Sequence, residues 1–258
     1  MNKNDWNPNL YLKFDMERTR PPIDLVSRIK FEKPSRIIDI GCGPGNSTQV
    51  LVGRWPEADI TGVDNSAAMI ERAKKDYPNQ KWRLIEVGKD TIEGNYDIVF
   101  SNATIQWIPD HTSLIKKFYN LISEKGVIAI QIPLFWDMTL GGSILEIAEM
   151  SRWASFLNGV SKLFTIHNYS YYYDRLSELF HFIDMWITDY IHVLDSQLSI
   201  LEMIRSTALP PYLDRLENET DKSIFEQLIL DEIVKKYPLQ KNGKVLFPFK
   251  RLFFIAYA

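Results

Sequence analysis

A buried strand that runs directly into a glycine-rich turn constrains this chain more than any other feature. Ile37-Ile38-Asp39-Ile40 is followed by Gly41-Cys42-Gly43-Pro44-Gly45-Asn46-Ser47, with three glycines at alternate positions. Glycine is needed where the backbone enters conformations closed to other residues, and where a Cβ would block the approach of a second group. A helix is expected after the turn, with Ser47 as its N-cap. Strand, glycine turn and helix open a βα unit, and the carboxyl ends of strands are where open α/β sheets bind their ligands.

Short apolar runs alternate with helical patterns from Arg36 to Gln131, which argues for a parallel sheet. The spacing predicts strands at Arg36–Ile40, Ile60–Asp64, Lys81–Glu86, Asp97–Ser101 and Val127–Gln131. Several are continuously apolar, as in strands buried on both faces. Helices are predicted at Ser47–Trp55, Ala67–Tyr77 and Thr112–Ile122, the last with Leu114, Phe118, Leu121 and Ile122 at helical spacing. Beyond Pro133 the pattern predicts helices at Leu140–Phe164 and Tyr171–Phe180 and a strand at Met185–Val193. A helical stretch over Ser196–Tyr237, broken at Pro210-Pro211, and a final strand at Arg251–Tyr257 complete the chain.

The expected fold is α/β: an open, mostly parallel seven-stranded sheet with helices on both faces and a helical cap from C-terminal insertions. Residues 1–30 are read as an N-terminal helical lid and 31–135 as the ligand-binding core. Residues 136–258 are read as cap helices plus the last two strands of the same sheet.

At 258 residues the chain is long enough for one such domain with a cap. A net charge of -3 gives no footprint for nucleic acid and no polybasic run suggests a membrane surface. The polar start, Met1–Pro8, lacks the apolar core of a signal peptide, and no apolar run approaches the roughly 18 residues that span a bilayer. The expectation is a cytoplasmic protein, a monomer or weak homodimer, acting on a small molecule without nucleic acid or membrane. One cysteine, Cys42, allows no intrachain disulfide. His111, His167, His181 and His192 show no metal-ligand spacing, so no metal is expected.

Two acidic strand ends sharpen the nature of the ligand. Asp64 closes the second predicted strand, and a carboxylate there can accept both hydroxyls of a ribose diol. Ser66 can cap the following helix, which leaves Asp64 for the ligand. Glu86-Val87 closes the third strand, where the amino group of an adenine would lie. A dinucleotide site has the pattern G-x-G-x-x-G, whereas here the third glycine comes one residue early and Asn46 takes its place.

On these residues the chain resembles the class I, Rossmann-like S-adenosylmethionine-dependent methyltransferases, and within them the trans-aconitate 2-methyltransferases. The resemblance extends over nearly the whole chain. It includes Trp6-Asn7-Pro8-Asn9-Leu10-Tyr11-Leu12, Glu17–Pro21, Asp39–Ser47, Thr61–Ser66 and Ser101-Asn102-Ala103-Thr104-Ile105-Gln106-Trp107-Ile108-Pro109-Asp110-His111. Gln131-Ile132-Pro133, Tyr172-Tyr173-Asp174, Tyr190-Ile191-His192 and Arg251-Leu252-Phe253 continue it.

The resemblance implies S-adenosylmethionine as cofactor and S-adenosylhomocysteine as product. It assigns cofactor binding to Asp39, Gly41, Gly43, Gly45, Asp64, Asn65, Met69, Glu86, Val87 and Asn102. The segment Asn102–Trp107 would lie beneath the methyl-bearing end, making Gln106 and Trp107 catalytic candidates together with Tyr11 and His192. Arg20, Trp136 and Arg251 are the candidates for holding the acceptor, expected to be a small carboxylic acid.

The chain departs from the family at three places. Glu86 stands where relatives have Asp. Pro210 stands where relatives carry Arg, a residue whose planar fork pairs with carboxylates. Leu134-Phe135-Trp136 replaces an expected acidic or amide-bearing pair. The last two changes make the acceptor region more apolar and less cationic.

Methyl transfer to a carboxylate is an in-line displacement that needs no general base, so the protein acts by alignment and exclusion of water. That fits a sequence with no evident acid–base constellation. Two other readings stay open: a methyltransferase with a non-carboxylate acceptor, and a cofactor-binding protein without turnover.

Overall fold

The structure is a computed structural model, and it describes residues 14–258. Tyr11 and the motif Trp6–Leu12 lie outside the described residues. The first helix is α1 (Asp15–Arg28), with Pro21 and Pro22 buried inside it. Two prolines there remove the N–H groups that would reach back to Glu17 and Arg18, a cost accepted because both rings are buried. The Arg54 guanidinium binds the last carbonyls of α1, at Val26 and, at 2.7 Å, Ile29.

Strand β1 (Arg36–Ile40) leads into α2 (Asn46–Arg54), β2 (Asp59–Asp64), α3 (Ala67–Asp76) and β3 (Lys81–Leu84). Then follow β4 (Tyr96–Asn102), α4 (His111–Tyr119) and β5 (Ile122–Pro133). The sheet has seven strands in the order β3-β2-β1-β4-β5-β7-β6, where β6 is Phe182–Leu194 and β7 is Val245–Tyr257. Strands β1 to β5 pair in parallel, and β1 pairs with both β2 and β4. Strand order reverses between β1 and β4, the switch point where a doubly wound sheet opens a crevice. Ile37, Ile38, Ile40, Ile98, Val99, Phe100 and Val127–Ile130 form the buried centre, which explains their continuous apolar runs.

The chain divides into two compact units. The first comprises the chain to Ile132, His167–Ile187 and Leu252–Ala258; the second comprises Pro133–Ile166 and Thr188–Arg251. The first carries β1 to β4, most of β5 and α7 (Tyr169–Ser177). The second carries α5 (Thr139–Ala148), α6 (Ala154–Leu157), α8 (Gln197–Arg205), α9 (Pro210–Leu213) and α10 (Glu219–Lys236).

Several expected boundaries are corrected. The helix expected to reach Ile122 stops at Tyr119, because Tyr96 pairs with Ile122 and its N–H binds the Leu121 carbonyl at 2.8 Å. Strand pairing there overrides the helical spacing of Leu121 and Ile122. The expected helix Leu140–Phe164 is three pieces: α5, α6 and a 3-10 turn at Val160–Leu163 that follows Gly159 at φ 78°. Pro210 and Pro211 do not merely interrupt a helix; they begin α9, where a proline's absent N–H costs nothing. Strand β3 ends at Leu84, so Glu86 follows the strand instead of closing it.

Among the described residues no helix is long and apolar enough to cross a membrane.

Candidate active site

The glycine turn is anchored by its neighbour strand. The N–H groups of Gly41 and Cys42 both donate to the Val63 carbonyl, at 2.7 and 3.0 Å, and Gly45 N–H donates to Cys42 O at 3.0 Å. Gly41 has φ +75°, and a Cβ there would lie 2.0 Å from Thr104 Oγ1, so only glycine fits. Gly43 differs: at φ +54° a Cβ would meet nothing within 4 Å. The turn therefore presents open space above a bare backbone at Gly43, a cradle suited to a closely approaching ligand.

Ser47 does not cap α2, as expected from sequence. The N-cap is Gly45, and Ser47 is buried with its hydroxyl donating to Asp39 Oδ2 at 2.7 Å. Thr48 Oγ1 donates to the same oxygen at 2.6 Å. Asp39 is fully buried, and burial raises its carboxyl to about 6 although both hydroxyls oppose the shift. Its Oδ1 has no hydrogen-bond partner among the described residues. Asp39 thus ties strand β1 to the first turn of α2 beneath the glycines. Burial likewise pushes the Cys42 thiol up, so it stays a packed thiol against Trp82, Ile70 and Ala73.

Asp64 joins the glycine turn to the start of α3. Its Oδ2 accepts the Gly43 N–H and its Oδ1 accepts the Ser66 N–H, each at 2.9 Å. A carboxylate offers about four lone-pair sites, so each oxygen can accept more than one donor. Ser66 caps α3 as expected, its Oγ accepting Met69 N–H at 3.2 Å, and Met69 is buried while Asn65 is exposed. Glu86 is exposed and pairs with Lys89 at 2.8 Å, while Val87 is buried beside it.

A tight turn follows β4 at Asn102–Trp107. Ala103 adopts φ 52°, and among the described residues it is the non-glycine residue with positive φ, a strained state that surroundings must hold in place. Gln106 Nε2 donates to Ala103 O at 2.7 Å, and Thr104 Oγ1 reaches Asn102 O at 3.1 Å and Gly41 O at 3.3 Å. The 3-10 turn Ile105–Trp107 is thereby locked beside the glycine turn. Asn102 Oδ1 and Gln106 Oε1 are buried acceptors with no hydrogen-bond partner among the described residues. Trp107 is half-buried.

Arg20 is exposed on α1. In the second unit, His192 and Arg251 are both buried, and the Arg251 guanidinium lies over the Phe249 ring at 4.4 Å and near Tyr190 at 6.0 Å. His192 stacks with Tyr190 at 6.4 Å between ring centroids. Trp136 is half-buried and packs edge-on against Phe164 and Phe135. Leu134 N–H donates to Lys250 O at 3.0 Å, which fixes the apolar Leu134-Phe135-Trp136 segment beside β7. Among the described residues no three His, Cys, Asp or Glu side chains come together as metal ligands.

Sequence reasoning missed one set of contacts. Tyr172, assigned no role from sequence, is fully buried and its hydroxyl reaches His111 Nδ1 at 2.8 Å. Its signal was the place of both residues in motifs of the resemblance.

A seven-stranded doubly wound sheet with a glycine cradle, an acidic end on β2 and a strained turn after β4 defines the class: an S-adenosylmethionine-dependent methyltransferase. The family profile of the methyltransferase domain matches residues 14–185. The chain is 38% identical over 253 residues to trans-aconitate 2-methyltransferase of Enterobacter sp. (strain 638), covering 98% of each. It is equally similar, with 38% identity over 98% of each chain, to trans-aconitate 2-methyltransferase of Rhodopseudomonas palustris (strain BisA53). In fold it is similar to Haemonchus contortus phosphoethanolamine N-methyltransferase 2 solved with S-adenosyl-L-methionine, with TM-score 0.59 and 15% identity over 96% of this chain and 56% of that one. The chain belongs to the trans-aconitate 2-methyltransferase family.

Proposed function

We propose that the chain transfers the methyl group of S-adenosylmethionine to a carboxylate oxygen of a small organic acid of the trans-aconitate type. The observation that carries this reading is full-length similarity to trans-aconitate 2-methyltransferases, which spans both units of the chain.

The first unit's residues fit the cofactor. Asp64, a carboxylate at the end of β2 beside the glycine turn, takes the ribose diol, and the open backbone at Gly43 allows the close approach that the amino-acid end requires. Asn102 supplies a buried acceptor without a partner, suited to the α-ammonium group. Asn65, Met69, Glu86 and Val87 are assigned to the adenosine half. Gly41, Gly45 and Asp39 are assigned to the cofactor loop, which Asp39 shapes through Ser47 and Thr48. The bound cofactor supplies a methyl carbon activated by a sulfonium.

The protein's part is orientation and exclusion of water. Gln106 and Trp107 are assigned to the methyl-bearing end, and Tyr11 and Arg20 to an N-terminal lid, residues 1–30. Residues 31–135 are read as the cofactor core and 136–258 as cap and final strands. His192, Trp136 and Arg251 are assigned to the acceptor, with Arg251 as the carboxylate partner in place of the arginine that Pro210 displaces. The enzyme is read as a cytoplasmic monomer or weak homodimer with no nucleic-acid or membrane partner, in keeping with its charge of -3.

Arg251→Ala should raise KM for an acidic acceptor roughly 10- to 100-fold, the loss of a charged hydrogen-bond pair, while leaving the cofactor Kd unchanged. Steady-state kinetics with calorimetry of S-adenosylhomocysteine checks both; an unchanged KM removes Arg251 from the acceptor.

The function itself is tested by S-adenosylhomocysteine release over a panel of small carboxylic acids with saturating cofactor. Turnover of trans-aconitate to an alkali-labile methyl ester is the expected result. Turnover confined to less charged acids would show that Pro210 and Leu134-Phe135 have shifted the acceptor. Silence across the panel would overturn the carboxylate reading.

A further inference from the structure

We infer that His111 and Tyr172 form a latch that positions the turn carrying Gln106 and Trp107, so that helix α7 sets the geometry of the reacting end of the site. This rests on the assignment of Gln106 and Trp107 to the methyl-bearing end made above.

His111 opens α4 and is buried, with each ring nitrogen bonded. Nε2 lies 2.7 Å from the Ile105 carbonyl and Nδ1 lies 2.8 Å from the Tyr172 hydroxyl. A carbonyl oxygen only accepts, so Nε2 carries the proton and donates to it. Burial lowers the His111 pKa and keeps the ring neutral, which leaves Nδ1 a bare lone pair. The Tyr172 hydroxyl must then donate to Nδ1. One tautomer therefore runs from Tyr172 through the ring to Ile105, and the direction of every hydrogen bond is determined.

The receiving carbonyl matters. Ile105 O also accepts Ile108 N–H at 2.9 Å, so both of its lone pairs are used and its direction is set by two elements at once. That carbonyl belongs to the first residue of the 3-10 turn Ile105–Trp107, directly after the strained Ala103. A strained turn survives only when its surroundings over-determine it. Gln106 restrains the turn locally, Thr104 ties it to Gly41 O and Ala103 N–H ties it to Gln131 O; His111 adds the restraint on Ile105, from helix α4.

Tyr172 is itself fixed. Its ring stacks on Phe254 of β7, with centroids 5.1 Å apart and planes at 27°. A second clamp joins the same two helices: Tyr171 Oη meets Thr112 Oγ1 at 2.9 Å, and Arg175 Nε donates to that oxygen at 3.1 Å. Asn168 caps α7 through Tyr171 N–H at 2.9 Å, and His167 stacks on Tyr171 at 3.6 Å. Of these side chains His111 alone reaches the Ile105 carbonyl; the others hold α7, and with it Tyr172, against α4. His111 and Tyr172 are positioning residues.

The test is a graded series: His111→Gln, His111→Asn, His111→Phe and Tyr172→Phe. Glutamine places an amide N–H where Nε2 stands and keeps the bond to Ile105, so kcat should remain within about threefold of wild type. Asparagine reaches only as far as Nδ1, and phenylalanine donates nothing. For both, kcat should fall about 30-fold, inside the roughly 100-fold that a small misplacement of reacting groups produces, with the Kd of S-adenosylhomocysteine unchanged.

Hydrogen exchange of the S-adenosylhomocysteine complex supplies a readout that needs no acceptor. In the asparagine and phenylalanine variants the Trp107 and Ile108 amides should exchange about tenfold faster, with Tyr172→Phe between wild type and these. Wild-type exchange in His111→Asn overturns the latch, as does a glutamine variant as impaired as phenylalanine. If no carboxylic acid proves to be the acceptor, the exchange rates decide the latch alone. Tyr172→Phe removes a single oxygen, so it also decides the matter should the His111 variants fail to fold.

Discussion

Gly41→Ala should leave a protein that binds no S-adenosylhomocysteine and melts about 5–15 °C below wild type. Two separate penalties act at one atom. With φ at +75°, a Cβ costs roughly 1–2 kcal/mol from backbone sterics alone. The added carbon would also sit 2.0 Å from Thr104 Oγ1, 2.2 Å from Cγ2 and 2.5 Å from Cβ, an overlap worth about 1–3 kcal/mol or more. Thr104 cannot rotate away, because its own Cβ is within the overlap. Truncation by Thr104→Ala therefore gives little relief, whereas Gly41→Ala with Thr104→Gly should recover the steric part of the melting temperature. It should not recover cofactor affinity, since the φ requirement of the loop is untouched. Differential scanning fluorimetry with and without S-adenosylhomocysteine reads both effects. A single variant that melts and binds like wild type would mean that the glycine turn does not hold this conformation.

The same contact explains why so much of the first unit was legible in the sequence. Strands buried on both faces leave little freedom of residue type, so the runs at Ile37–Ile40 and Ile98–Phe100 announce themselves. A turn with three residues at φ above +50° can be written only with glycine, and these positions are visible in the chain as Gly41, Gly43 and Gly45. Asp64 and Ser66 were separable for a similar reason. A short hydroxyl one residue before a helix caps it, and the carboxylate two residues earlier is then left for other donors.

What was not legible depends on partners far away in the chain. Ser47 has the composition of an N-cap, but Asp39, eight residues earlier and fully buried, draws its hydroxyl inward. No local rule announces that, because the pull comes from a buried carboxylate in need of donors. Tyr172 carries no local mark of a hydrogen-bonded role, because its partner His111 lies 61 residues away. The second unit was harder still. Its helices α5, α6, α8, α9 and α10 have weaker punctuation, and Gly159 breaks what the apolar pattern reads as one helix. Arg251 was readable as a basic residue near the last strand, but its burial against Phe249 and Tyr190 was not.

Asp64→Ala should weaken S-adenosylhomocysteine binding about 100-fold or more, with only a small change in melting temperature. The carboxylate accepts Gly43 N–H on one oxygen and Ser66 N–H on the other, both at 2.9 Å, so it joins the glycine turn to the start of α3. Its removal takes away the acceptors for a ribose diol and, in the same step, the restraint that orients Gly43. Charge-assisted bonds of this kind contribute roughly 1.5–3 kcal/mol each, which is why the affinity loss is large. Stability changes little because Asp64 is half-buried and the cap from Ser66 Oγ to Met69 N–H survives.

Asp64→Asn is the more telling variant. An amide has one oxygen and one donor group, and both positions now face an N–H, so one contact turns repulsive whichever way the amide is placed. Asparagine should therefore bind S-adenosylhomocysteine nearly as poorly as alanine, despite its matching shape. Adenosine provides the internal control: it carries the ribose without the amino-acid end, so its affinity should fall in parallel with that of the whole cofactor. If adenosine binding falls and Asn102→Ala leaves it intact, the two ends of the cofactor are assigned to the two strand ends as placed here. If adenosine binds Asp64→Ala as it binds wild type, the ribose lies elsewhere, and Asp64 serves only to pin the glycine turn.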